Sequence, residues 1–130
     1  MLKKICLGIA LFWTGFILYL CLMRASNLPI VTILYFDKFV HAVFHFVFSF
    51  LWFLVLNFYF KDENRAKLLG ITFLMSLFFG IAIELFQTYF TVTRNGDLID
   101  VLANSSGALL AILAHAFLDI RGFLVKSKNK

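Results

Sequence analysis

The chain has 130 residues, of which 62% are apolar and only 15% are charged, and it contains 18 phenylalanines. A soluble domain of this size could not bury so much apolar surface, so the composition excludes an ordinary soluble fold and predicts an integral membrane protein. The net charge of +5 comes from basic residues near the chain ends and in loops, not from one face with interleaved aromatics, so we expect no nucleic-acid partner.

Four apolar segments, each of about 20 residues, predict membrane-spanning helices at about 5–23, 39–60, 68–90 and 98–118. A helix of this length crosses the roughly 30 Å hydrocarbon core of a bilayer. Strands of a membrane barrel would be about half as long and would alternate apolar with polar residues, which these segments do not. The sequence therefore predicts an all-α membrane protein, a four-helix bundle that forms a single transmembrane domain over residues 1–130.

The first segment could instead be a signal peptide, because Lys3 and Lys4 precede its apolar run. It is longer than the usual apolar region of a signal peptide, and no small-residue cleavage site follows it, so we expect an uncleaved span. Between the spans, residues 28–36 are apolar and are expected at the membrane interface, whereas residues 61–67 form the most polar loop. The dipeptide Asn95-Gly96 indicates a turn before the last span.

The distribution of Lys and Arg predicts how the bundle is oriented. Three of the twelve, Arg24, Lys38 and Arg94, lie on one side of the predicted membrane. The other nine lie on the side that holds both termini, and they are Lys3, Lys4, Lys61, Arg65, Lys67, Arg121, Lys126, Lys128 and Lys130. Because cytoplasmic segments are enriched in basic residues, we expect both termini in the cytoplasm.

Three of the predicted helices carry small or polar residues at steps of three or four, which place them on one helix face. The stripes are Asp37, Lys38, His41, His45 and Ser49 on the second span, Thr72, Ser76, Gly80, Glu84 and Gln87 on the third, and Asp97, Asp100, Asn104, Gly107, Ala111 and His115 on the fourth. Small residues let membrane helices approach closely, so we expect Gly80, Gly107 and Ala111 to mediate helix packing.

Most of the ionisable groups near the spans lie at one depth, close to the predicted outer surface. They predict a polar pocket formed by Asp37, Lys38, His41, Glu84, Gln87, Arg94, Asp97, Asp100 and Asn104. Charged side chains within a membrane are costly and usually have a partner or a function. The alternative is a hydrogen-bonded network that only holds the helices together.

A metal site is a separate possibility. His41 and His45 have the i, i+4 spacing of helical metal ligands, and Glu84 or Asp100 could complete a site with them. His45, however, lies one turn deeper among phenylalanines, where a histidine is more often hydrogen-bonded than bound to metal. We therefore expect no metal and no other cofactor.

From Asp37 to Ala111 the sequence resembles the VanZ-like family of small bacterial membrane proteins, named for an accessory determinant of teicoplanin resistance. The resemblance rests on Asp37-Lys38-x-x-His41, Glu84-x-x-Gln87, Arg94 and, most specifically, Asp97-x-x-Asp100-Val101-Leu102-Ala103-Asn104-x-x-Gly107. Two positions depart from the pattern: Ala111, where a second glycine is frequent, and His45, where an aromatic is more frequent. The resemblance implies a multi-pass protein of the bacterial plasma membrane, within the cell envelope, and a role in glycopeptide resistance without assigned chemistry.

Three classes of function remain open. The preferred one is a non-enzymatic envelope protein whose outward-facing pocket acts on a cell-wall precursor or a glycopeptide, with membrane lipid as a further partner. The second is an intramembrane enzyme, in which His41 and carboxylates do acid–base chemistry on a lipid-linked or head-group substrate. The third is a small transporter, which is disfavoured because Pro or paired Gly residues interrupt none of the spans. The sequence does not define the oligomeric state.

The orientation can be tested with reporter fusions after Lys67 and after Lys130. Both fusions should be active only as cytoplasmic reporters, because the basic residues divide nine to three. A periplasmic signal from either fusion would contradict the predicted topology.

Overall fold

A computed structural model describes residues 1–27, 29–30 and 32–118. Over these residues the protein contains four α-helices, α1 (Leu2–Leu22), α2 (Phe36–Tyr59), α3 (Arg65–Phe90) and α4 (Leu98–Phe117), with one 3₁₀ turn at Ala25–Asn27. All four helices are long and apolar enough to cross a membrane. The predicted fold class is confirmed, whereas the orientation of the termini remains a prediction.

Parts of two sequence predictions lie outside the described residues. The basic residues Arg121, Lys126, Lys128 and Lys130, which count toward the predicted orientation, belong to the C-terminal segment that is not described. Leu28 and Val31, within the predicted interfacial segment, are not described either.

The helices differ from the predicted spans mainly at their N-terminal ends. α1, α2 and α3 each begin three residues earlier than the apolar runs that predict them. Each of these first turns includes charged residues, and α3 begins where the Asn64 side chain accepts a hydrogen bond from the Ala66 amide at 2.8 Å. α4 begins at Leu98, as predicted, because the Asp97 side chain caps it by accepting from the Ile99 amide at 2.8 Å.

The central helix of the bundle is α2. It packs most extensively along α4, and it also contacts α1 and α3. α1 and α4 each pack against the α2–α3 pair and make little contact with each other. Large apolar side chains such as Phe12, Phe39 and Phe78 are exposed on the outside. An apolar surface of this extent suits contact with lipid rather than with water.

The close approach of α2 and α4 depends on Gly107. A Cβ atom at this position would collide with the backbone carbonyl of Ala42 on α2. Gly107, Ala108 and Ala111 are all buried along this face of α4. Because lipid removes the hydrophobic drive for helix association, such direct backbone contact supplies much of the attraction between membrane helices.

A small core cluster and two tryptophans attach α1 to the other helices. The cluster consists of Ile17 and Cys21 from α1, Phe48 from α2 and Ile83 from α3.

The Trp13 indole N–H donates to the Phe44 carbonyl at 3.1 Å. The Trp52 indole N–H donates to the Thr14 hydroxyl at 3.1 Å. Both indoles therefore pack as apolar groups while their single donors are satisfied across the α1–α2 interface.

Gly107→Ala should destabilise the protein by about 1–3 kcal/mol, because the added methyl group overpacks the contact with the Ala42 carbonyl. The matched control is Gly15→Ala, since nothing lies within 4 Å of a Cβ at that helical position. The control should be neutral or slightly stabilising, because alanine favours helix. Titration with a denaturing detergent measures the free energy of unfolding of both variants, and equal stability of Gly107→Ala and wild type would contradict this packing.

Candidate functional site

Polar residues from three helices meet at one end of the bundle. We call it the distal end, where α1 and α3 end and where α2 and α4 begin. Asp37 lies in the first turn of α2, Asp100 lies in the first turn of α4, and Glu84 lies near the end of α3. His41, Glu84, Asp100 and Asn104 are all buried, each with 7% or less of its surface exposed. The helices therefore place several ionisable groups together and away from solvent.

The Lys38 ammonium joins three carboxylates at the distal end. Its Nζ lies 2.9 Å from Asp37 Oδ2, 2.8 Å from Asp97 Oδ2 and 2.5 Å from Asp100 Oδ1. An ammonium has three N–H donors, so it can donate to one oxygen of each carboxylate. The hydrogen bond from Lys38 also lowers the pKa of Asp97, which lies outside the helices. This one cation thus connects α2 with α4 and with the loop that precedes α4.

His41 follows Lys38 by one helical turn and lies among the other polar groups. Its Nδ1 lies 3.1 Å from Asn104 Oδ1, and because an amide oxygen only accepts, Nδ1–H is the donor. Two carboxylates flank the ring at longer range, with Glu84 Oε1 4.0 Å from Nδ1 and Asp100 Oδ2 3.9 Å from Nε2. These two separations exceed hydrogen-bond length, so neither carboxylate is bonded directly to the imidazole.

The Glu84 carboxylate is held by the loop between α3 and α4. Its Oε2 accepts a hydrogen bond from the Asp97 amide at 2.8 Å, whereas its Oε1 is buried without a hydrogen-bond partner. Gly96 lets the loop fold onto α3, because a Cβ there would lie only 2.5 Å from the Glu84 carbonyl oxygen. The Gly96 amide donates to the Thr88 hydroxyl at 3.0 Å. This loop orients one carboxylate oxygen and leaves the other unpaired beside His41.

Gln87 and Arg94, which the sequence also assigns to the pocket, bind the end of α1. Gln87 Nε2 donates to the Cys21 carbonyl at 2.8 Å, and Arg94 Nη1 donates to the Leu20 carbonyl at 3.4 Å. The last turn of a helix leaves carbonyls without intrahelical partners, and these side chains supply them. Their contacts fix α1 next to the cluster that surrounds His41.

The residues predicted to mediate packing lie inside the bundle. Gly80 faces Asn104, and a Cβ at Gly80 would lie 2.9 Å from Asn104 Nδ2. Ala111 is fully buried on α4. Gly80 therefore provides the space that Asn104 needs to reach His41.

The other two histidines bond elsewhere. His45 Nδ1 lies 2.7 Å from the Ser76 hydroxyl, and His115 Nε2 lies 3.1 Å from the Phe50 carbonyl near the opposite end of the bundle. His45 is thus bonded to α3, and it does not belong to the group of possible metal ligands that surrounds His41. Glu84 and Asp100 approach His41 instead.

A cavity of about 540 Å³ opens beside the cluster, next to the end of α1 and the start of α2. Asp37, His41 and Arg94 form its polar lining, and Leu20, Ile33 and Phe44 belong to its apolar walls. Its volume lies within the roughly 300–1,000 Å³ of small-molecule sites.

The apolar walls and Thr88 were not predicted from the sequence. Thr88 had one signal, its spacing of four residues after Glu84, whereas α1 has no polar stripe that would place it beside this cavity.

A family model described as VanZ/LLP1 matches residues 5–119. The chain belongs to the VanZ/LLP1 family. The match extends beyond the residues on which the sequence resemblance rests, and it includes nearly all of the four helices. No curated protein and no solved structure gives a significant match. Family membership and four apolar helices together identify a multi-pass membrane protein of the VanZ type.

Removing the central cation of this VanZ-type site should destabilise the protein. Lys38→Met keeps the apolar stem but leaves the buried Asp100 carboxylate without its charged partner, which should cost about 1–3 kcal/mol. Lys67→Met is the control, because Lys67 forms an exposed pair with Glu63 that contributes at most about 0.5 kcal/mol. Titration with a denaturing detergent measures the free energy of unfolding of both variants. An equal loss of stability in the two variants would contradict a stabilising role for Lys38.

Proposed function

We propose that this VanZ-type protein acts in the bacterial plasma membrane by binding an amphiphilic ligand of the cell envelope, a lipid-linked cell-wall precursor, and that this binding contributes to glycopeptide (teicoplanin) resistance. The observation that supports the proposal most directly is the cavity of about 540 Å³, which combines apolar walls with a charged end. Such a cavity suits a molecule with an apolar chain and a polar head group.

The two parts of the cavity can bind the two parts of such a ligand. Phe44, Leu20 and Ile33 present apolar surface to the lipid chain. Arg94 uses Nη1 for its bond to the Leu20 carbonyl, which leaves further guanidinium N–H groups for a phosphate. Arginine is well suited to phosphate because its planar group donates two parallel hydrogen bonds.

The predicted orientation also supports the proposal. With both termini in the cytoplasm, the distal end and its cavity are on the outer side of the membrane. A protein that binds a cell-wall precursor at that side would change how accessible the precursor is to a glycopeptide.

A second candidate is an acid–base enzyme that acts on the same class of ligand. It is favoured by the Glu84 Oε1 atom, which is buried without a hydrogen-bond partner and lies 4.0 Å from His41. A transporter has less support, because the four helices are continuous, whereas transporter sites are typically built from broken helices.

Native mass spectrometry of detergent-purified protein tests the ligand class. The wild type should retain a phosphate-bearing lipid, and Phe44→Trp should retain less, because a larger ring fills the cavity. Phe78→Trp is the control, since Phe78 is 67% exposed on the outside of the bundle. Binding in this cavity is ruled out if the wild type retains no such lipid or if Phe44→Trp retains as much as the control.

The charge of Glu84 separates a functional site from a purely structural network. Glu84→Gln keeps the size of the side chain and removes its charge, so the melting temperature in detergent should stay the same or rise. Glycopeptide resistance in a host that expresses the variant should be lost, and a folded Asp100→Asn protein should lose it too. Glu63→Gln, in the exposed loop, should have no effect. Full resistance from a folded Glu84→Gln protein would remove this charge from the function.

A further inference from the structure

We propose that His41, Glu84 and Asp100 form a binding site for one divalent metal ion. One nitrogen or oxygen donor from each residue lies within 4.8 Å of a donor from each of the other two. All three side chains are buried, and they come from α2, α3 and α4. The site therefore exists only when these helices are assembled.

The distances within the cluster suit ligands of a common ion better than direct hydrogen bonds. His41 Nε2, the ring nitrogen that does not bond to Asn104, lies 3.9 Å from Asp100 Oδ2. This separation is too long for a hydrogen bond. Two donors that each bind an ion at about 2.1 Å are separated by about 3 to 4.2 Å for bond angles from 90° to 180°. The three ligand atoms all lie within 4.8 Å of one another, so only a small shift of a side chain is needed for them to bind one ion.

The unpaired oxygen of Glu84 is an independent indication of a cation site. Oε1 is buried and has no hydrogen-bond partner, although Glu84 is only 6% exposed. Burying a carboxylate oxygen without a partner is costly, and native structures rarely leave one so. A bound cation would supply that partner.

The remaining atoms of the three residues are oriented by protein donors and acceptors. Asp97 N–H holds Glu84 Oε2, and Lys38 Nζ holds Asp100 Oδ1. His41 Nδ1–H donates to Asn104 Oδ1, which leaves the Nε2 lone pair on the side of Asp100. Ligands of metal ions are typically fixed in this way, with the second imidazole nitrogen donating to an oxygen.

The local charge also favours a divalent cation. Among the described residues, four carboxylates gather at this cluster, those of Asp37, Glu84, Asp97 and Asp100. The cations beside them are Lys38 and Arg94, which line or join the same site. With His41 neutral, as a metal ligand must be, two negative charges remain in excess. One divalent ion would balance them.

The donor set indicates which ions would bind. One imidazole and two carboxylates suit Zn²⁺, Mn²⁺ or Fe²⁺, whereas Ca²⁺ prefers oxygen donors alone. This set replaces the His41–His45 pair considered from the sequence, because the donors that lie near one another belong to His41, Glu84 and Asp100 and not to His45. His41 also lines the cavity, so an ion at this site would face a ligand bound there. The inference does not require the proposed ligand, because ion binding is measured on the purified protein alone.

Metal analysis of the protein purified in detergent without a histidine tag tests the site. After treatment with a chelator and dialysis, the protein is loaded with Zn²⁺ or Mn²⁺ and the bound metal is measured by mass spectrometry. We expect about one ion per chain and, at saturating ion, a melting temperature higher by about 5 °C. Glu84→Gln and Asp100→Asn should bind at least 10-fold more weakly. The matched controls, Glu63→Gln and Asp62→Asn in the exposed loop, should bind like the wild type.

Loading with Co²⁺ supplies a second measurement, which the wild type alone can decide. The wild type should give the intense visible absorption of a four- or five-coordinate ion with a nitrogen ligand, and His41→Gln, as a further check, should weaken it. A wild type that retains no ion and gives only the spectrum of hydrated Co²⁺ would overturn the proposal. It is equally overturned if folded Glu84→Gln and Asp100→Asn bind as tightly as the wild type. Should either variant fail to fold, the wild-type stoichiometry and Co²⁺ spectrum decide the question.

Discussion

The contact between the Lys38 ammonium and three carboxylates stabilises the distal end of this VanZ-type bundle. Asp37, Asp97 and Asp100 lie within 2.9 Å of one nitrogen atom, and they belong to α2, α4 and the loop before α4. Without that cation, several negative charges would gather near the membrane with no compensation, at a cost of about 1–3 kcal/mol. With Lys38 in place, the loop before α4 packs against α3, and the Asp97 amide donates a hydrogen bond to Glu84. This bond positions the Glu84 carboxylate beside His41.

Some residues in this region stabilise the packing of the helices, whereas others are positioned by that packing. Gly107 brings α2 and α4 into backbone contact, and Gly80 provides space for Asn104. Gln87 and Arg94 attach the end of α1. The carboxylate oxygens that face His41 differ from these groups. Glu84 Oε1 and Asp100 Oδ2 lie too far from the imidazole for a hydrogen bond, and the buried Oε1 has no hydrogen-bond partner. The unpaired oxygen of Glu84 is what the proposed ligand or ion would explain.

Much of this end of the molecule could be predicted from the spacing of polar residues. Thr72, Ser76, Gly80, Glu84 and Gln87 recur every three or four residues, and all five are buried on α3. That periodicity works because a membrane helix must turn its polar groups inward. The sequence could not predict that Gln87 and Arg94 would donate hydrogen bonds to α1. Their acceptors are backbone carbonyls, which every residue carries, so no sequence pattern identifies them. Nor could it predict how Gly96 and Thr88 fold the loop onto Glu84, because that contact depends on the tertiary position of α4.

The central claim is that Lys38 and Asp100 are energetically coupled within the folded bundle, and a double-mutant cycle measures this coupling directly. The free energies of unfolding of wild type, Lys38→Met, Asp100→Asn and the double variant are obtained by titration with a denaturing detergent. Because the two groups are 2.5 Å apart and mostly buried, we expect a coupling energy of about 1–3 kcal/mol, with the double variant less destabilised than the sum of the single ones. A coupling energy within about 0.3 kcal/mol of zero would contradict the account, because it would mean that the two residues act independently.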